Sequence, residues 1–184
     1  MRLLATFVLA GVLCPGLLGA QTFTSSPNPV SNAVRTMLAR DSKNLVASAD
    51  LLPADKYGYH PTPAQMTFGE LIAHIVQTNI ALCSGIAGTP APLTPEELRK
   101  LSWTDGKEAL SGAIRRSFDY CTDALAKVND SQLGDEVTMF GRPSGQSRAA
   151  MMIILAADWA DHYSTAASYL RLNGILPPTA QPKK

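Results

Sequence analysis

Charge is scarce in this chain of 184 residues: Asp, Glu, Lys and Arg make up only 17% of it. It is also balanced, with 16 Lys and Arg against 15 Asp and Glu. No basic excess is available to neutralise a phosphate backbone, so a nucleic-acid partner is not expected. The chain also lacks a CxxC pair, a phosphate-binding glycine loop, a dinucleotide fingerprint and a recognisable Ser-His-Asp arrangement, which leaves none of those chemistries. Gly and Pro number 13 each while 46% of residues are hydrophobic, against disorder or a fibrous repeat. The length suits one compact domain with its own core. Histidine and cysteine are rare, three of each, so each can be weighed singly.

The amino terminus reads as an address. Met1 and Arg2 open it, an apolar run follows from Leu3 to Leu18, and Gly19-Ala20 precede a polar stretch beginning at Gln21. A charged start, an apolar middle and small residues at the end describe an export signal over residues 1–20. Pro15 and Gly16 interrupt the run, which is shorter than the roughly 20 residues of a bilayer span. The expected mature protein is therefore periplasmic or secreted, without stable membrane insertion. Its linker covers residues 21–30, its domain 31–176 and its tail 177–184. Loss of the signal removes Cys14 and leaves Cys83 and Cys121. An exported protein can join such a pair, but two buried thiols fit the pattern equally.

The expected fold class is all-α, an antiparallel four-helix bundle. In the first stretch, Ser31 to Leu52, Leu38, Leu45 and Leu52 recur every seven residues, with Val34 one turn earlier and Pro53 as a stop. A second helix after Pro63 carries Phe68, Leu71, Ile72, Ile75, Leu82 and Ile86 on one face and ends near Gly88. Three prolines mark Thr89 to Trp103 as a long connection, with a capped turn of helix at Thr94-Pro95-Glu96-Glu97. The third helix starts near Thr104 and repeats Leu110, Ile114, Phe118, Cys121, Leu125 and Val128. Asp130 to Gln146 is polar and Gly-containing, and no strong strand alternation is found. The fourth helix runs from Ser147 to Asn173, ending at Gly174 and Pro177-Pro178.

The fourth helix carries the informative pattern. Its stripe is Met151, Leu155, Asp158, His162, Thr165 and Tyr169, which places an aspartate and a histidine four residues apart at its centre. Burying an unpaired carboxylate costs several kcal/mol, so the two groups need each other, a hydrogen-bond network or a cation. Residues at i and i+4 share a helix face and can converge on one ion. A third ligand has to come from another helix. His74, at the border of the second stripe, is the candidate, although periodicity alone does not select it. Two imidazoles and a carboxylate suit Zn, Ni, Fe or Mn and leave coordination positions open, as catalytic sites do. His60, in Tyr59-His60-Pro61, reads as a surface residue. Asn79, Asp161 and Arg171 are possible supporting partners, although the two charged groups more commonly sit on a helix surface.

Three segments resemble the DinB/YfiT-like superfamily of metalloenzymes. They are Leu52-Pro53-Ala54-Asp55-Lys56-Tyr57 with Pro61-Thr62-Pro63, Met66 through Ile75, and Asp161-His162-Tyr163 with Tyr169 through Gly174 and Pro177-Pro178. The resemblance implies an antiparallel four-helix bundle. It also implies a metal held by one histidine of the second helix and two of the fourth. His74 and His162 match the first and last positions. Asp158 stands in place of the usual middle histidine, and Tyr163-Ser164-Thr165 replaces a common glycine followed by glutamine or asparagine.

Two readings follow from the substitution. Asp158 can ligate, keeping a divalent metal (Zn or Ni foremost, Fe or Mn next) with altered preference. Alternatively the metal is lost, and Asp158 and His162 form a buried polar pair in a non-catalytic bundle that binds a small molecule or partner. Retention is favoured, because a lost site tends to leave apolar residues in a stripe. The family's thiol-dependent transferases and isomerases imply one reaction class, and metal-assisted hydrolysis is another. The substrate is an unknown small molecule, and a homodimer is compatible with the chain.

Overall fold

The computed structural model describes residues 25–182, so the expected signal segment 1–20 and its cleavage site lie outside the described residues. The fold is mostly helical. Helix α1 spans Pro29–Leu51, α2 Phe68–Ala87, α3 Pro95–Lys100, α4 Gly106–Leu125 and α5 Arg148–Leu172. The expected heptad leucines are where the repeat puts them: Val34, Leu38, Leu45 and Leu52 are all buried. Pro29 opens α1, where its missing N–H costs nothing, and the Asp130 carboxylate accepts the next two amides, Val30 and Ser31, both at 2.9 Å. Helix α2 starts later than Pro63 suggests. Its N-cap is Thr67, whose hydroxyl accepts from the Glu70 amide while the Glu70 carboxylate accepts from the Thr67 amide at 2.7 Å.

The four long helices share one core. Helices α1 and α2 each pack against α4 and α5. Cross-helix pairs give the directions. Along α2 the partners in α4 rise together: Asn79 meets Ser117 and Cys83 meets Cys121, so these neighbours are parallel. Against α5 they fall: Met66 meets Tyr169 and Asn79 meets Trp159, so that pair is antiparallel. The strict antiparallel expectation therefore holds for α2 and α5 but not for α2 and α4. Parallel neighbours need a crossover, and the proline-rich segment with α3 provides it. Helix α2 is apolar and long enough to cross a bilayer by composition, but more than half of it is buried in this core.

The polar segment 130–146, where no strand alternation is found in the sequence, holds a β-hairpin. Strand β1 (Glu136–Met139) pairs antiparallel with β2 (Arg142–Ser147), with Thr138 opposite Pro143 and a bulge between Glu136 and Thr138. The turn residues Phe140 and Gly141 both have positive φ, 52° and 77°, as a two-residue hairpin turn requires. Only Val137 of the two strands is buried, which is why no alternation announces them. The hairpin seats on α2 where Gly85 leaves room for Met139.

Cys83 and Cys121 are joined by a disulfide between α2 and α4, which decides between the two options the sequence left open. Beyond α5, part of the expected tail folds back: Pro177 is buried and Thr179 hydrogen-bonds the Tyr163 hydroxyl at 2.7 Å.

Candidate metal centre

The site lies where α2 and α5 pass in opposite directions. Two hydrogen bonds bracket it and fix the register. On one side the Tyr169 hydroxyl donates to the Met66 carbonyl at 2.6 Å, and on the other the Trp159 indole N–H donates to Asn79 Oδ1 at 2.7 Å. Between them His74 faces His162, and Asp158 sits one turn away at the Trp159 edge. One ligand atom from each of the three side chains falls within 4.8 Å of the others. The two imidazoles stack, with centroids 5.0 Å apart and planes inclined by 21°. His162 Nδ1 and Asp158 Oδ1 are 3.7 Å apart, too long for a hydrogen bond.

The arrangement leaves unpaired groups. Asp158 Oδ2 and both ring nitrogens of His162 are buried, with no hydrogen-bond partner among the described residues. Each such group costs about 1–3 kcal/mol, so a pair that satisfied itself would not be built this way. Ligand atoms sharing a zinc ion stand about 3–3.5 Å apart, close to the spacing of the Asp158–His162 pair. The donor chemistry and the orphaned atoms therefore fit a divalent cation. His74 is held below the ordinary histidine pKa, first by burial and then by repulsion from His162, with Asp158 opposing. This favours the neutral imidazole, the form that ligates.

The other sequence candidates separate clearly. His60 is exposed, with its Nδ1 2.7 Å from the Thr62 carbonyl, and Asp161 and Arg171 are exposed as well. Asn79 is fully buried but is committed to Trp159 and, through Nδ2 at 3.0 Å, to the Ser117 hydroxyl. The stripe of α5 is centred slightly differently from the expected one. Asp158 and Thr165 sit half-buried at its edge, whereas Trp159 and Ala166 are fully buried at its centre. Trp159 was missed. An indole beside Asp158 and one turn from Leu155 was the available signal.

Away from α5, His74 opens onto two clefts. One, of 280 Å³, lies between α2, α3 and the hairpin tip and includes Thr78, Arg99 and Phe140. The other, of 500 Å³ and more polar, is bounded by Met66 and Glu70. An adjoining cleft of 420 Å³ shares Ala81, Leu98 and Phe140 but none of the three candidate ligands.

A family model for the DinB superfamily matches residues 37–166, most of the chain and all three candidate ligands. The chain belongs to the DinB superfamily. Solved structures agree on the fold. A DinB-like protein from Bacillus cereus superposes with a TM-score of 0.65 at 16% identity, covering 80% of this chain and 95% of that one. A DinB-like protein from Bacillus subtilis gives 0.61 at 16% identity, covering 82% and 100%. A mycothiol-dependent maleylpyruvate isomerase gives 0.57 at 19% identity over 73% of this chain, which spans 59% of the isomerase. At these identities the likeness to the DinB-like proteins and to the isomerase is one of fold. None of the curated proteins compared with the chain matches it.

Proposed function

We propose that this DinB-superfamily protein is an exported metalloprotein whose His74, Asp158 and His162 hold a divalent ion between α2 and α5, within the family's four-helix bundle. The observation that carries the reading is the convergence of orphaned buried atoms, Asp158 Oδ2 and both His162 nitrogens, beside a histidine of the opposing helix. Two imidazoles and one carboxylate suit Zn, Ni, Fe(II) or Mn, of which Zn and Ni are placed first. When bound, the ion supplies Lewis-acid activation of a water or a thiol, which suits a hydrolase or a transferase acting on a small molecule. The protein's own contributions are three. Asp158 and His162 come from one rigid helix turn, Trp159 and Asn79 lock that turn against α2, and His74 forms the wall shared with both clefts. The fold shared with a mycothiol-dependent isomerase favours the thiol version, whereas export away from reduced cytoplasmic thiols favours hydrolysis. Export itself is supported by the amino-terminal segment and by a disulfide of the kind that persists in oxidising compartments.

Elemental analysis of protein purified without chelator or metal column tests the site. Near-stoichiometric divalent metal is expected. Protein that stays empty after titration with Zn, Ni, Mn and Fe(II) refutes it and leaves the second reading, a metal-free polar pair in a binding bundle. That alternative leaves Asp158 and His162 facing each other at 3.7 Å with no hydrogen bond between them. A double-mutant cycle on the two residues, run with and without chelator, separates them, since only a metal site gives a chelator-dependent coupling.

A further inference from the structure

The 280 Å³ cleft beside His74 is apolar, with the exposed Arg99 at its rim. Ala81, Leu98 and Phe140 give it apolar walls, and among the described residues no carboxylate lines it and Arg99 is its one permanent cation. The other charged groups of α3 are occupied elsewhere. Glu96 pairs with Lys100 at 2.9 Å, and the Glu97 carboxylate accepts from the Thr94 amide and hydroxyl, both at 2.8 Å. Among the described residues Arg99 pairs with no carboxylate. Its helix is nonetheless fixed: Leu98 is buried, and Gln77 of α2 donates to the Leu98 carbonyl at 2.9 Å. Phe140 projects at the hairpin tip, 73% exposed and at positive φ, a conformation bulky residues adopt only at an energetic cost. An unpaired guanidinium, an exposed aromatic ring and a candidate metal ligand thus face one small apolar volume.

The geometry points to a small molecule with an apolar body and a single carboxylate or similar anionic group as the occupant of this cleft. Arg99 holds the anion, Phe140 and Leu98 cover the apolar part, and the His74 end receives the atoms to be transformed. A planar guanidinium matches a carboxylate through two parallel hydrogen bonds, which gives orientation as well as attraction. The cleft lies just below the usual range of ligand pockets, which limits the ligand to roughly one ring and a short link beyond its anionic group. The inference deepens the proposed function and rests on it for the reaction, while recognition itself is measurable in metal-free protein.

Phenylacetate and its neutral counterpart phenylacetamide are the probes, titrated into chelator-stripped full chain and followed by backbone amide NMR. Phenylacetate is expected to shift Thr78, Ala81 and Arg99 and to bind about three- to tenfold more tightly than the amide. Arg99→Gln should remove the preference and Arg99→Lys should keep part of it. Equal binding of acid and amide, an undiminished preference in Arg99→Gln, or no shift of the cleft residues overturns the inference. A preference that arises only after zinc is added assigns the anion to the metal, overturning the role of Arg99 while sparing the metal site. An Arg99-dependent preference in a protein that never takes up metal does the reverse.

Discussion

Breaking the Cys83–Cys121 bond should cost this protein a large part of its stability. The bond closes a loop across 38 residues, and both sulfurs are completely buried between α2 and α4. A cross-link stabilises chiefly by restricting the unfolded chain, and a loop of this length corresponds to about 4 kcal/mol at 25 °C. For a domain of this size each kcal/mol moves Tm by about 2–4 °C, so the reduced protein should melt roughly 8–16 °C below the oxidised one. The comparison is best made by urea denaturation at equilibrium, with and without reductant, on wild-type protein. Cysteine-to-alanine variants would add a cavity cost at a fully buried position. Peptide mapping after alkylation in denaturant should find Cys83 and Cys121 protected before reduction and modified after it. Because neither sulfur is exposed, reduction of native protein should be slow and should follow the rate of opening. Equal stability in the two redox states would refute the loop argument, and alkylation of both thiols without reductant would refute the bond.

Three further outcomes are expected. Asp158→His, which supplies the third imidazole that the family resemblance implies, should tighten Zn or Ni binding by about tenfold or more in a competition titration against a chelating dye, and unchanged affinity would remove Asp158 from the ligand set. Metal-free protein should lose stability as pH falls below the ordinary histidine value. With the folded-state pKa of His74 depressed, the unfolded chain binds the extra proton in that window, so stability rises with pH and is complete above it. Denaturation curves across that range in chelator should show this slope in wild type and a smaller one in His74→Gln. Gly69→Ala should destabilise by about 1–3 kcal/mol in urea melts, because the new Cβ would lie 2.7 Å from Trp103 Cβ and 2.9 Å from Trp103 Cα, where backbone has to move.

What the sequence discloses and what it hides follow from the range of each interaction. The seven-residue repeat of Leu38, Leu45 and Leu52 is local, and burial confirms it. The pairing of Asp158 with His162 across one helical turn is local too. Periodicity shows which face of a helix is buried, but not which helix covers it. The parallel course of α2 and α4 was therefore invisible until cross-helix pairs were located, although the long proline-rich connection was its trace. The same limit applies to His74. It sits half-buried at the border of its stripe, so periodicity does not select it; the family resemblance names it, and the crossing with α5 brings it to Asp158 and His162. The hairpin escaped for a different reason: Pro143, Gly145 and a single buried side chain leave strands with almost no period to detect.

Rigidity links the disulfide to the site. A metal centre made of side chains on two helices is only as well defined as the offset between those helices. Helix α2 is held on two flanks. Cys83 ties it covalently to α4, and one turn earlier Asn79 bonds Ser117 of α4 and Trp159 of α5 through the two ends of one amide. The Tyr169–Met66 hydrogen bond then pins the opposite end of the crossing. His74 lies between these anchors, on the stretch of α2 least free to slide past α5. Fully satisfied polar links thus surround three unsatisfied atoms, the contrast expected of a prepared cation site rather than of a poorly packed core.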